Sequence, residues 1–346
     1  MKKLLNKIRR KPQVEESTRI TTETIAEHRE RVLAGGRRFK YPVQYARHRL
    51  VFNAVIIGVA VLVLLVALIG QQLYFAQNTS DFFYRVTKVI PLPVGSVEGQ
   101  PIRYSDYLMK YRSSIHYLEE KEQVNLSTED GKRQSDFVKQ QAMQDAIADT
   151  YAIKIAKEQN ITVSDVELET FLKLQRNSSD GVVSETTYDA VILDYYGWSP
   201  EEYRHAMKNK LLRQKVGYAI DTTAKTTSES VSKLIKAGTT DLKVVADTTN
   251  TNASTQVTYG ALGWVPRTNQ DGGLAAAAAA LEKGAVSTVV KSTSGDGYYF
   301  VRLIDSNENE VNYDYVHIPL TKFAKQVTDA QASKYITIAD VTATNE

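Results

Sequence analysis

Apolar residues follow three patterns along this chain. VFNAVIIGVAVLVLLVALIG, residues 51–70, is continuously apolar, with Asn53 as its one polar side chain. At about 1.5 Å of rise per residue, such a run crosses about 30 Å of hydrocarbon. Further on, apolar residues recur at helical spacing, as Ile147, Tyr151 and Ile155, then Leu168, Phe171 and Leu172, then Tyr203, Met207 and Leu211. Helix starts are marked in SDVELETFLKLQ, where Ser164 and Glu167 form a capping box, and in SPEEYRHAM, where Ser199, Pro200 and Glu202 do the same. RVTKVIPLPVGSVEGQPIRYSDY, residues 85–107, predicts strand, turn and strand ahead of a helix over 105–122. From about residue 221 the pattern turns to Thr, Ser and Lys, as in a linker. Beyond it come a helix over 226–237 with Thr226 and Glu229 as its box, DLKVVAD, YGALGWVP, a poly-alanine helix, and strands near 286–291 and 298–304. Ahead of the apolar run, TTETIAEHRERVLAGG predicts one short helix, capped by Thr21 or Thr22 and ended by Gly35, in an otherwise flexible tail.

Charge gives the apolar run a direction. Residues 1–50 hold 14 Lys/Arg against 5 Glu, and residues 71–84 hold no Lys or Arg. Because cytoplasmic flanks retain basic residues, the expected topology is a single pass through the cytoplasmic membrane, with the tail inside and the bulk of the chain outside. A cleaved signal peptide is the competing reading, but the run begins some fifty residues in and is longer than a signal's apolar core. The remaining 29 basic and 35 acidic residues argue against a nucleic-acid partner for the exported part, whereas the tail suits anionic lipid head groups. The absence of cysteine excludes disulfides, a Cys-zinc site, thiol catalysis and attachment as a lipid-modified cysteine. His116, His205 and His317 lie on separate elements without metal-ligand spacing, so neither metal nor cofactor is expected, and no hydrolase motif occurs.

Two stretches resemble known families. VEGQPIRYSDYLMKY, FVKQQAMQDAIADTYAIKIAKEQNITVSDVELETFLKL and YYGWSPEEYRHAMKNKLLRQKV, within residues 97–216, resemble the N-terminal helical domain of SurA, PrsA and PpiD-type extracytoplasmic foldases. YGALGWVPR and LAAAAAALEKGAVSTVVKSTSGDGYYFVRLID, within 259–305, resemble the latter half of a parvulin-type prolyl isomerase domain. That resemblance puts the family's pocket methionine near Gln270, its helix phenylalanines at Leu274 and Ala279, and its strand histidine at Tyr299. The family's first strand, an S-H-I-L-like run, does not follow GYAIDTTAK; a similar run stands at VNYDYVHIPLTKF, residues 311–323. The expectation is therefore a circularly permuted unit, in which residues 313–320 hairpin back on 298–304 and His317 takes the place of the family's first histidine. ASKYITIADV is similar to the closing strand of such foldases, so Tyr335–Ala339 should pair near Val86–Ile102.

The expected fold is α+β: a basic tail over 1–50, a transmembrane helix over 51–75, a helical chaperone domain over 85–220, a small parvulin-like domain over 226–320, and a segment over 321–346 that returns a strand. The resemblance implies an extracytoplasmic foldase that binds unfolded exported polypeptide, with an eroded isomerase pocket. An active isomerase and a non-catalytic envelope adaptor stay open as alternatives. Candidate catalytic residues are Tyr299 and His317, joined by a hydrogen bond or else simply strand residues. Candidate substrate contacts are Leu262, Trp264, Gln270 and Leu274 in one domain and Tyr188, Tyr195 and Trp198 in the other, with Tyr107, Tyr111, Tyr117 and Tyr196 as further groove candidates. Trp264 could equally be a packing residue of the L-G-W turn.

Overall fold

The structure, a computed structural model, describes residues 21–178, 181–251 and 255–337, with 36–47 as backbone alone. One compact unit extends to Ile69 and a second begins at Gly70. The described residues of the first form one helix, α1 (Thr22–Gly70), whose last residue opens the second. Thr24 Oγ1 donates to Thr21 O and accepts from Thr21 N at its start. Gly35 does not end it: an interior glycine costs a helix only about 1 kcal/mol, which its length absorbs. His48–Phe75 is apolar and long enough to cross a membrane. The tail before residue 21 lies outside the described residues.

The second unit opens with a π-helical turn (Gln71–Phe75) and α2 (Asp81–Val89), so residues 85–89 close a helix rather than form the expected strand. Tyr84 and Thr87, one turn apart, are buried and hold α2 in place. A hairpin follows, β1 (Pro93–Val97) and β2 (Gln100–Arg103), then α3 (Tyr104–Glu120), α4 (Glu129–Gln159) and α5 (Asp165–Gln175). A two-strand turn, β3 (Asn177–Ser178) with β4 (Gly181–Val182), leads to α6 (Glu185–Tyr196) and α7 (Pro200–Ile220). Both capping boxes form as expected at Ser164 and Ser199. Glu202 does more than cap, since its carboxylate also accepts from Tyr84 Oη at 2.5 Å and ties α2 to α7. Ile147, Tyr151, Ile155, Leu168, Phe171 and Tyr203 are all buried. At the centre, Asp149 of α4 lies 2.8 Å from Lys110 Nζ and 3.0 Å from Arg213 Nε, ion pairs whose angles fall short of hydrogen bonds.

The expected linker near 221 is instead a buried joint. α8 (Thr222–Lys236) starts at once, with Thr226 inside it, and Asp221 is its cap. Asp221 Oδ1 accepts from Ala224 N, while Oδ2 accepts from Thr321 N and Lys322 N, at the point where the chain re-enters the helical part. One carboxylate thus holds both crossings. Thr-rich composition suggested a solvated segment, but these threonines lie on a helix that packs through Ala224, Thr227 and Val231.

After α9 (Leu242–Asn250) come β5 (Thr258–Pro266), α10 (Leu274–Ala279), β6 (Val290–Lys291), β7 (Gly297–Ser306) and β8 (Glu310–Pro319). They form an antiparallel sheet in the order β5-β8-β7-β6. β7 is buried on both faces. Tyr298 and Phe300 pack with α8 and α9, whereas Tyr299, Val301 and Leu303 pack with α10. The strand beside β7 is indeed the later one, as the permutation required. α11 (Lys322–Lys334), absent from the sequence-based expectation, then leads to β9 (Tyr335–Thr337). β9 pairs antiparallel with β1, Gly95 facing Thr337, so the returning strand closes the first hairpin. Residues 338–339 of the expected strand lie outside the described residues.

Candidate functional site

The β7–β8 hairpin sets Tyr299 directly opposite His317. Its turn is fixed by Asn307 Oδ1, which accepts from the amides of Asn309 and Glu310. At the other end Gly297 is required, because a Cβ there would stand 2.3 Å from Ile318 O and 2.6 Å from His317 Nε2. The two aromatic rings lie face to face, with centroids 4.3 Å apart and planes at 11°. They do not hydrogen-bond to each other, so of the two readings the hydrogen-bonded pair is not the one that forms. The Tyr299 hydroxyl instead donates to Asp296 Oδ2 at 2.7 Å, and His317 Nε2 lies 3.4 Å from Asp296 O. The Tyr299 hydroxyl follows its nearest strong acceptor, a carboxylate three residues away in the GDG turn, which pairing register alone does not reveal.

Asp296 organises this corner. Burial works against its charge, but hydrogen bonds from Tyr299, Ser292 and Ser294 and the nearby His317 outweigh that and hold its carboxyl below the usual range. Burial, then the bond to this carboxylate, drive the Tyr299 hydroxyl far above an ordinary phenol. It is therefore a fixed donor, not a titrating acid. From α7, Tyr218 Oη reaches Gly297 O at 2.6 Å, and its ring meets Tyr298 edge-on at 5.1 Å.

Behind the Tyr299–His317 pair, the face that the parvulin resemblance makes a proline pocket is packed. Leu274, Ala275 and Ala278 of α10 form one core with Val301, Leu303, Val311 and Tyr313. Tyr313 is fully buried and donates to Asp271 Oδ2 at 2.5 Å, the same carboxylate that accepts from the first amides of α10. Tyr315 packs on Tyr299 at 5.6 Å. Leu274 is thus a core residue. Gln270 turns away and donates through Nε2 to Asn177 O in the β3–β4 turn. Leu262 and Trp264 lie on the outer strand β5, 48% and 47% exposed, so Trp264 is not the packing residue that the L-G-W frame suggested. A bulge between Ala261 and Gly263 breaks the pairing register beside them.

In the helical part the structure brings Tyr188 and Trp198 together around Tyr203. The Tyr188 and Tyr203 hydroxyls are 2.9 Å apart, and Trp198 packs on Tyr203 at 6.4 Å while Nε1 donates to Met109 O. Beside them opens a cleft of about 160 Å³, lined by Leu172, Arg176, Tyr188, Pro200, Tyr203 and Arg204. Tyr195 and Tyr196 are exposed, and Lys121 Nζ stands 4.9 Å over the Tyr195 ring. Tyr107 and Tyr111 are core, not groove. A larger groove, about 600 Å³, runs between α4 and α11 past Gln141, Ala148, Phe323, Val327 and Tyr335. Sequence reasoning missed it because it did not foresee α11.

Comparison with known families agrees with this division. Residues 44–217, half of the chain, match the SurA-like N-terminal domain, and residues 212–305 match the PPIC-type PPIase domain. No curated protein matches the chain. The second match ends at residue 305, before β8 begins at Glu310, so the strand that completes the sheet lies beyond it. With its helical half matched over that length and an isomerase-type sheet behind it, the chain belongs to the SurA-like N-terminal domain family, in the arrangement of SurA, PrsA and PpiD-type foldases.

Proposed function

We propose that this protein is a single-pass membrane-anchored chaperone that holds unfolded exported polypeptide outside the cytoplasmic membrane, with an isomerase-type domain acting as scaffold and weak peptide binder. In this reading residues 1–50 are a cytoplasmic tail, 51–75 the anchor, 85–220 and the returning 321–346 the chaperone body, and 226–320 an inserted domain. The basic flank before the apolar run supports that orientation.

The stacked pair of Tyr299 and His317 is the observation that carries the loss of catalysis. Prolyl isomerisation must lower a barrier of about 18–20 kcal/mol by seating the proline ring and stabilising a twisted amide. Here the Tyr299 hydroxyl is committed to Asp296, its ring covers one face of His317, and Leu274 and Tyr313 fill the space behind. Peptide binding keeps its means in the α4–α11 groove, whose mixed apolar and amide lining suits extended chains of varied sequence, and in the smaller Tyr188–Tyr203 cleft, where two aromatic side chains stand among charged ones. A protease-coupled assay on a proline tetrapeptide, with the full chain in nanodiscs, should give the uncatalysed rate. A rate above background that disappears in the Tyr299→Phe, His317→Ala double variant would contradict this reading in favour of an active isomerase.

A further inference from the structure

Helix α2 has three distinct sides, where a surface helix needs two. Tyr84 and Thr87 are buried, with Phe83 half-buried beside them, and this side faces the protein. Asp81, Arg85 and Lys88 form a charged side, with Arg85 paired to Asp81 at 2.7 Å and Lys88 to Glu202 at 3.3 Å. The third side carries exposed Phe82 and Val89 with half-buried Val86 between them at helical spacing, and continues into exposed Ile90. Phe82 is 65% exposed and Val89 83%. The core-facing stripe is already complete, so packing within this unit gives no reason for a second apolar stripe.

Its position along the chain says what covers it. Phe75, 86% exposed, ends the apolar span six residues before Asp81. The span's last residues are part of the folded body and not a loose stem. Leu73 is fully buried, Tyr104 Oη donates to Leu73 O at 2.7 Å, and Tyr74 Oη donates to Pro93 O at 2.9 Å. α2 is therefore held beside the point where the anchor leaves hydrocarbon. A short helix with an apolar, phenylalanine-bearing side and a charged side is the form that lies in the plane of a lipid interface.

We propose that the Phe82–Val86–Val89 stripe is seated in the outer bilayer interface, making α2 a second, in-plane membrane contact that sets the chaperone body directly on the lipid surface. This rests on the anchor reading above. The natural lack of cysteine allows a direct test, with Phe82→Cys, Val89→Cys, Leu62→Cys and Glu119→Cys variants of the full chain each labelled with an environment-sensitive fluorophore in phosphatidylcholine nanodiscs. Labels at 62, 82 and 89 should be bright and quenched severalfold by nitroxide lipids, while the label at 119 stays dim and unquenched. Quenching at 62 without quenching at 82 and 89 would overturn the interfacial helix and leave the anchor standing. Bright but unquenched labels at 82 and 89 would mean that protein covers the stripe, which also overturns it. Absence of quenching at 62 would remove the anchor reading together with this one.

Discussion

Asp149 is a buried carboxylate inside the helical body. Its carboxylate is buried between Lys110 and Arg213, which come from helices on either side of α4. Asp149→Asn leaves Lys110 without this partner while Arg213 keeps Asp145, so stability should fall by about 1–3 kcal/mol, read from urea unfolding of the full chain in detergent. Glu167 makes a different contribution. The Lys215 hydrogen bond first, and then the Ser164 amide and hydroxyl, hold its carboxyl down to about 2. That lies below the value of about 4.3 expected when unfolded, so its stabilisation is complete above about pH 4.3 and is lost as pH falls toward 2. Thermal melts across that acidic range should drop more steeply for the wild type than for Glu167→Gln. The box that Ser164 and Glu167 build was legible because it is local, three residues apart. His317 as the neighbour of Tyr299 was legible too, from the expected hairpin, whereas the Tyr299 hydrogen bond to Asp296 was not, since a turn sets it.

Among the elements, β9 tests how firmly the chain's return is held. A Cβ on Gly95 would stand 2.8 Å from Ile336 O, so Gly95→Ala must push β9 from β1. A loss of about 1–3 kcal/mol is expected, with earlier proteolysis near Tyr335 as the readout; unchanged proteolysis would mean that β9 is not held there. Asp221→Ala should act on two elements at once by stranding the amides of Ala224, Thr321 and Lys322, costing about 1–3 kcal/mol. Hydrogen exchange at those amides should accelerate together. Strand elements read well from sequence because VNYDYVHIP and YYFVRLI carry β-branched and aromatic residues on both faces of a central pair. The linker near 221 was misread because its capping carboxylate owes its burial to amides a hundred residues later. α11 went unseen because no cap marks its start, Thr321 making no side-chain capping bond, although Phe323, Val327 and Ala330 recur at helical spacing.

At the scale of the molecule, the chain leaves the helical body after α7 and re-enters it before α11, so an isomerase-type sheet is carried as an insertion between β1 and β9. Tyr218 and Asp221 hold that junction on hydrogen bonds to both crossings. Such an attachment suits a rigid body that presents grooves to unfolded chains, while at the corner around Asp296 the side chains are packed and hydrogen-bonded to one another. The most direct measurement is aggregation suppression by the full chain in nanodiscs, tested on several unrelated proteins diluted from denaturant. Every client should be protected in a dose-dependent way, with protection reduced when Tyr203 and Phe323 are replaced by polar residues. Protection of none of them would contradict a chaperone role and leave an adaptor for one fixed partner.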